Sequence, residues 1–261
     1  MSSIKKVARC LVAACLALAW LGAAAVEYRL TPIADTTVFG DNQGGQTFDG
    51  LSDGGPNLWL STTQGGQTRR ALLRFDLSAI PSGSQVTSVQ LAMYEIRARG
   101  NHVVSVHRLL NAWGEATSDA GDSGSGVPAN PGDATWSHRF YPSVPWTQRG
   151  GDLVPQASTS LFVGFSGETY TWPSTPQMVA DVQGWMADSA SNHGWIVIGD
   201  DVTDGSAKRM ASRENGVASL RPVLVVQAEP PAPLTEGDTP LPLWASLLLG
   251  AGLLSLLRRS R

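Results

Sequence analysis

Arg70-Ala-Leu-Leu-Arg-Phe-Asp-Leu77 is the stretch on which the fold turns. Ala71, Leu73, Phe75 and Leu77 alternate with Leu72, Arg74 and Asp76. A period of two sends successive side chains to opposite sides of a strand, so one side packs inward and the other is wetter. The alternation of Val89, Leu91 and Met93 with Gln90, Ala92 and Tyr94 repeats the pattern. Ile80-Pro-Ser-Gly-Ser84 supplies the loop between the two strands. Working outward, strand-like runs separated by turn residues fall at 28–30, 35–39, 57–61, 102–110, 160–165, 168–172, 195–199, 208–214 and 222–227. One helix is expected over 176–187. Thr175 can cap it, Pro176 suits its first turn, and Val179, Val182, Trp185 and Met186 recur at helical spacing. About ten strands and one short helix predict an all-β fold, a jelly-roll β-sandwich, in a single domain spanning 27–228.

Both ends have a different character. Lys5, Lys6 and Arg9 precede an apolar run from Cys10 to Leu21 and the small residues Ala23-Ala-Ala25, the pattern of a secretory signal peptide over 1–25. The two cysteines, Cys10 and Cys15, lie inside it, so the expected mature chain has no disulfide to lean on. At the other end, 229–240 reads as a proline-rich linker, and 241–261 as a hydrophobic helix closed by Arg258, Arg259 and Arg261. That tail resembles PEP-CTERM-type sorting signals of Gram-negative bacteria, with Pro240-Leu-Pro242 in place of Pro-Glu-Pro. The resemblance implies export machinery and an exosortase-type protease as partners, and a location at the cell surface or in the extracellular matrix. A plain membrane anchor is the other reading.

Charge narrows the function. The 261 residues include 19 basic and 22 acidic ones, and 42% are hydrophobic. Removing the three basic residues of the signal and the three of the tail leaves 13 against 22, a net of −9. This balance disfavours a general nucleic-acid binder and broad electrostatic capture of any polyanion, and leaves local basic patches as the means of holding one. The four histidines, His102, His107, His138 and His193, are dispersed, and no nucleophile elbow, zinc-protease helix or phosphate loop occurs. A non-enzyme is expected. A lyase reading needs His107, Tyr94 and Arg74 to converge.

The ordered set Arg70–Leu77, Val86–Leu91, Val104–Arg108, Trp113-Gly-Glu115, Gly132–Trp136, Gly150-Gly-Asp152, Lys208–Asn215 and Arg221–Val226 resembles the DNRLRE domain family, related to disaggregatase repeats and to carbohydrate-binding module family 96. The resemblance implies a jelly-roll sandwich, with some relatives binding acidic polysaccharides such as alginate. Acidic sugars need guanidinium forks for carboxylates and aromatic faces for the rings. Candidate ligand-binding residues are therefore Arg74, His107, Arg108, Trp136, Trp146, Lys208 and Arg213. Arg74 and Arg213 have a second reading, as structural ion pairs with Asp76 or Glu214. Trp59, Trp185 and Trp195 read as core. Trp136 and Trp146 lie in a long Gly- and Ser-rich segment, 111–152, whose aromatics are expected to pin it to the sandwich. Calcium is the candidate cofactor, at Asp35 and Asp41 near the first strands and at Asp200, Asp201 and Asp204 in a later turn. Solvated turn residues are the alternative. A structural or adhesive surface protein without a glycan ligand is the competing function.

Overall fold

The alternation is realised as two β-sheets with a shared interior. The computed structural model describes residues 24–41 and 48–232. The expected signal peptide and sorting tail lie outside them. The strands are β1 (Val26–Leu30), β2 (Pro32–Phe39), β3 (Leu51–Asp53), β4 (Asn57–Thr62), β5 (Thr68–Phe75), β6 (Gln85–Ala98), β7 (His102–Arg108), β8 (Val127–Pro128), β9 (His138–Phe140), β10 (Val144–Pro145), β11 (Thr159–Val163), β12 (Glu168–Trp172), β13 (Trp195–Ile198), β14 (Lys208–Ala211) and β15 (Val223–Glu229). In the first sheet, β6 pairs with β12 on one edge and with β14 and β15 on the other. β15 leads on to β1, and β14 to β4. The second runs β11–β7–β13–β5–β2–β3–β8. All of these pairings are antiparallel.

Strand β4 joins the layers. Its first residues pair with β14, while Ser61 and Thr62 pair with Arg69 and Thr68 of β5. Ser61, with φ of 66°, makes the corner, a left-handed conformation that a non-glycine residue adopts at a cost. Gly199 makes room for it, since a Cβ there would lie 1.9 Å from Ser61 Oγ. The same Oγ accepts the Asp200 N–H at 3.1 Å.

The inward residues read from the sequence form the interior: Ala71, Leu73 and Phe75 from β5, and Val89, Leu91 and Met93 from β6. Trp195 and Trp172 fill the space between the layers. Trp172 Nε1 donates to the Val104 carbonyl at 2.9 Å, so a β12 side chain holds the opposite sheet. The expected helix appears as α1 (Pro176–Ala187), with Thr175 Oγ1 accepting the Met178 N–H at 3.1 Å. Met178, Val182 and Trp185 are its buried apolar side chains, joined by the buried Asp181, while Val179 and Met186 are only partly covered. Gln183 ties the helix to the start of β6, accepting from Val86 N at 2.8 Å and donating to the Ser84 carbonyl at 3.2 Å.

The segment 111–152 does more than cross a surface. Trp113 and Trp146 join Leu72, Ile196 and Val38 in a second apolar layer on the outer side of the second sheet, with Trp136 packed against it. This explains why Leu72, the apolar residue on the supposedly wet side of Arg70–Leu77, is fully buried.

Candidate functional site

On the outer side of the first sheet, three neighbouring strands place Trp59, Arg209 and Arg97 side by side. Arg209 of β14 pairs with Trp59 of β4 on one edge and with Arg97 of β6 on the other. Two guanidinium groups lie over the Trp59 ring, that of Arg69 at 5.2 Å and that of Arg209 at 5.3 Å from its centroid. A shallow open groove of about 110 Å³ runs over Trp59, Arg97, Arg99, Lys208 and Arg209. Arg97 and Arg99 are exposed.

A β-bulge creates this arrangement. Continued alternation from Val89 through Leu91, Met93 and Glu95 would send Arg97 into the interior. Instead the register shifts. Met210 faces Glu95 and Arg209 faces Arg97, with Ile96 as the extra residue. Bulges re-aim side chains in this way. The buried Glu95 closes the irregularity, its Oε1 accepting the Arg97 and Arg209 N–H groups, each at 3.1 Å. Burial pushes the Glu95 carboxyl up to about 8, against the opposing pull of the Arg209 N–H and of Lys208. Lys208 is itself buried and lowered by desolvation. Its Nζ donates to the carbonyls of Arg99 at 3.3 Å and Gly100 at 3.0 Å, fixing the turn that presents Arg99. Arg69, pushed down to about 10 by burial, anchors the long segment by donating to the Gly124 carbonyl at 3.0 Å. Arg209 also meets Asp122 of that segment, and its Nε donates to Asn57 Oδ1 at 2.8 Å.

The residues expected from sequence do not assemble into one site. Lys208 supports the groove from below, because its ammonium faces main-chain carbonyls inside the fold. Trp146 is 5% exposed and donates to the Thr135 carbonyl at 2.9 Å, so its ring does not offer a face to a sugar. Trp136 has Arg70 4.7 Å above its ring and is walled by Gly40 and Gly150, where a Cβ would come within 2.9 and 2.8 Å. Arg213 is engaged by Glu115 at 3.0 Å and Glu214 at 2.8 Å, which is the ion-pair reading. Arg74 points outward as expected, but it lies over Trp113 at 5.7 Å and beside a cleft of about 490 Å³ bounded by Ile33, Asp76 and Met186. No ion pair joins it to Asp76, which caps Ser78 instead.

His107 Nδ1 lies 3.0 Å from the Val154 carbonyl and Nε2 lies 3.0 Å from Ser105 Oγ, whereas Arg108 turns inward toward Asp181 at 3.5 Å. The lyase triple is dispersed. Tyr94 faces out from the first sheet, and His107 and Arg74 face out from the second, with the interior between them. Trp59, read as core, is the half-buried floor of the groove. The available signal for this site was Arg97-Ala-Arg99 at the end of an unusually long strand, together with Arg209.

The acidic residues divide differently from expectation. Asp41 pairs with Arg149 at 2.8 Å, as does Asp49 at 3.1 Å. Asp200 accepts from Val202 N at 2.9 Å and Thr203 N at 2.8 Å and meets His102 Nδ1 at 2.8 Å, contacts that hold it well below the usual carboxylate range. Asp201 accepts from Arg70 Nη2 at 2.8 Å, and Asp204 is exposed. Asp41, Asp49, Asp200 and Asp201 are thus committed to turns, to His102 and to arginines. Among the described residues, the one group of three that can share an ion is Asp35, Glu115 and Glu214.

Carbohydrate-binding module family 96 matches residues 26–119. The matched stretch runs from β1 through β7 into the long segment, and it carries Trp59, Arg69, Arg97 and Arg99 as well as Asp35 and Glu115. Arg209, Arg213 and Glu214 lie beyond it. No curated protein matches the chain.

Proposed function

We propose that this protein is a non-catalytic binder of acidic polysaccharide and that the strand of sugar lies across Trp59, Arg97, Arg99 and Arg209. The observation that carries the reading is the Trp59 ring set among outward-facing arginines on one sheet. Guanidinium forks suit uronic carboxylates, and Arg97 and Arg99 are exposed, while the Trp59 ring, covered by the Arg69 and Arg209 guanidinium groups, is the floor that holds Arg209 in place. The groove is shallow and open, which favours an extended polymer over a small enclosed ligand. The match to a carbohydrate-binding module over residues 26–119 supports the same class. Kinship with the DNRLRE domain, export and residence at the cell surface or in the matrix belong to this proposal.

Calorimetric titration of the purified protein with polygalacturonate, alginate and a neutral dextran tests it. Saturable binding to the uronic-acid polymers is expected, weakening as salt rises because the contacts are charged and exposed. Arg97→Ala combined with Arg99→Ala is expected to lower affinity by about tenfold, roughly 1.4 kcal/mol, with melting nearly unchanged. Unaltered affinity in that variant would remove the groove from the binding site. Silence towards every polymer would favour a structural or adhesive role.

A further inference from the structure

Asp35 is fully buried in β2, yet its carboxylate sits against two others. One ligand atom from each of Asp35, Glu115 and Glu214 lies within 4.8 Å of the other two. Oxygens bound to one ion at about 2.4 Å cannot be more than about twice that distance apart, a condition these three meet.

The hydrogen bonding leaves that centre unserved. Asp35 Oδ2 accepts the Arg213 N–H at 2.8 Å, while the buried Oδ1 has no partner. Arg213 Nε lies 2.8 Å from Glu214 Oε1, while the buried Glu214 Oε2 has no partner. Glu115 Oε2 accepts from Asp35 N at 3.2 Å and Arg213 Nη2 at 3.0 Å, and its Oε1 is turned toward Gly54. Gly54 permits this, since a Cβ there would stand 3.1 Å from Oε1. Three carboxylates and one guanidinium sum to −2 when ionised. Asp35 is wholly buried and Glu115 nearly so, and negative charge held there favours neutralisation by protons or by a cation.

We propose that Asp35, Glu115 and Glu214 hold a single hard divalent cation, calcium in preference to magnesium. An all-oxygen donor set with no histidine or cysteine selects a hard ion. Magnesium demands near-ideal octahedral geometry and retains its waters, whereas calcium accepts irregular carboxylate cages. The ion joins β2, the beginning of the long segment and the residues following β14, three parts of the chain far apart in sequence.

The test uses the full chain stripped with chelator and dialysed. Calcium titration is expected to show one site by calorimetry and a saturable rise in melting temperature, with magnesium at the same concentration giving much less. Glu214→Gln is expected to weaken calcium binding at least tenfold. Asp35→Asn is expected to melt above the wild type in chelator, because it relieves repulsion, and below it in calcium. No heat and no melting shift in the wild type would overturn the proposal. So would full-affinity binding in both variants, which places the ion elsewhere. An equal response to magnesium would overturn the assignment to calcium.

Discussion

Glu95→Gln is expected to match the wild type in stability near pH 4 and to exceed it increasingly as pH rises, by about ten degrees of melting temperature at pH 9. Burial raises the folded Glu95 carboxyl from 4.5 to about 8. The proton it retains is lost from the unfolded chain near 4.5, so stability from this group is fully present below 4.5 and disappears as pH climbs to about 8. Each tenfold gain in proton affinity on folding corresponds to about 1.4 kcal/mol, so the whole change is on the order of 5 kcal/mol. For a domain of this size, each kcal/mol moves the melting point by roughly 2–4 °C. Glutamine does not titrate, and its Oε1 can still accept the Arg97 and Arg209 N–H groups. Lys208 keeps its two carbonyl partners in the variant. Melting curves of both proteins from pH 4 to 9, in the same chelator, report the difference. Two parallel curves would mean that Glu95 is ionised in the fold throughout. Because the bulge survives in Glu95→Gln, polysaccharide binding should survive too.

That bulge also marks where sequence reading stops. Alternation identified the interior strands because each buried position there contributes an apolar side chain, and one sheet face against another leaves little freedom in register. The helix was legible for the same kind of reason: Thr175 and Pro176 are local signals, and their effect is complete within one turn. The groove has no such local signature. Arg97 reaches the outer side only because Ile96 is inserted against β14, a strand more than a hundred residues away in sequence. Arg209 reads as an ordinary strand arginine until Trp59 is placed next to it. The buried lysine is a similar case. Lys208 stands one residue from Arg209, and alternation turns one to main-chain carbonyls and the other to solvent. Residue type alone makes both equally good sugar ligands.

The aromatic residues of 111–152 show the complementary lesson. Their number predicts that the segment is pinned, and Trp113 and Trp146 do pin it. It does not predict which rings remain open, because that depends on Gly40, Gly150 and Arg70 closing around Trp136. The carboxylates behave likewise. Clustering along the chain pointed to Asp200, Asp201 and Asp204, yet turn amides, His102 and Arg70 occupy the first two. The group with unserved oxygens draws one residue from each of three distant segments.

Asp181→Ala is expected to be among the most destabilising single changes, costing about 3–5 kcal/mol, the range for removing one member of a buried charged network. Asp181 lies on α1 and is 3% exposed. Its Oδ2 accepts from Trp195 Nε1 at 2.9 Å and Ser158 Oγ at 2.5 Å, and its Oδ1 accepts from Gln177 Nε2 at 2.9 Å. Trp195 is the ring on which the helix and the second sheet meet, 4.5 Å from Trp185 and 6.2 Å from Phe75 between centroids. Alanine leaves the buried indole N–H and the Ser158 hydroxyl without their acceptor, and each orphaned group costs about 1–3 kcal/mol. Arg108 contributes little to this sum. Its side chain is 37% exposed and its Nε stands 3.5 Å from Asp181, so Arg108→Ala should cost under about 1 kcal/mol. Denaturant unfolding of the two single variants and the double variant separates the effects. If Asp181→Ala costs no more than Arg108→Ala, the helix is held by Met178, Val182 and Trp185 alone. If the double variant matches Asp181→Ala, the anchor is the carboxylate under Trp195 and the arginine merely covers it.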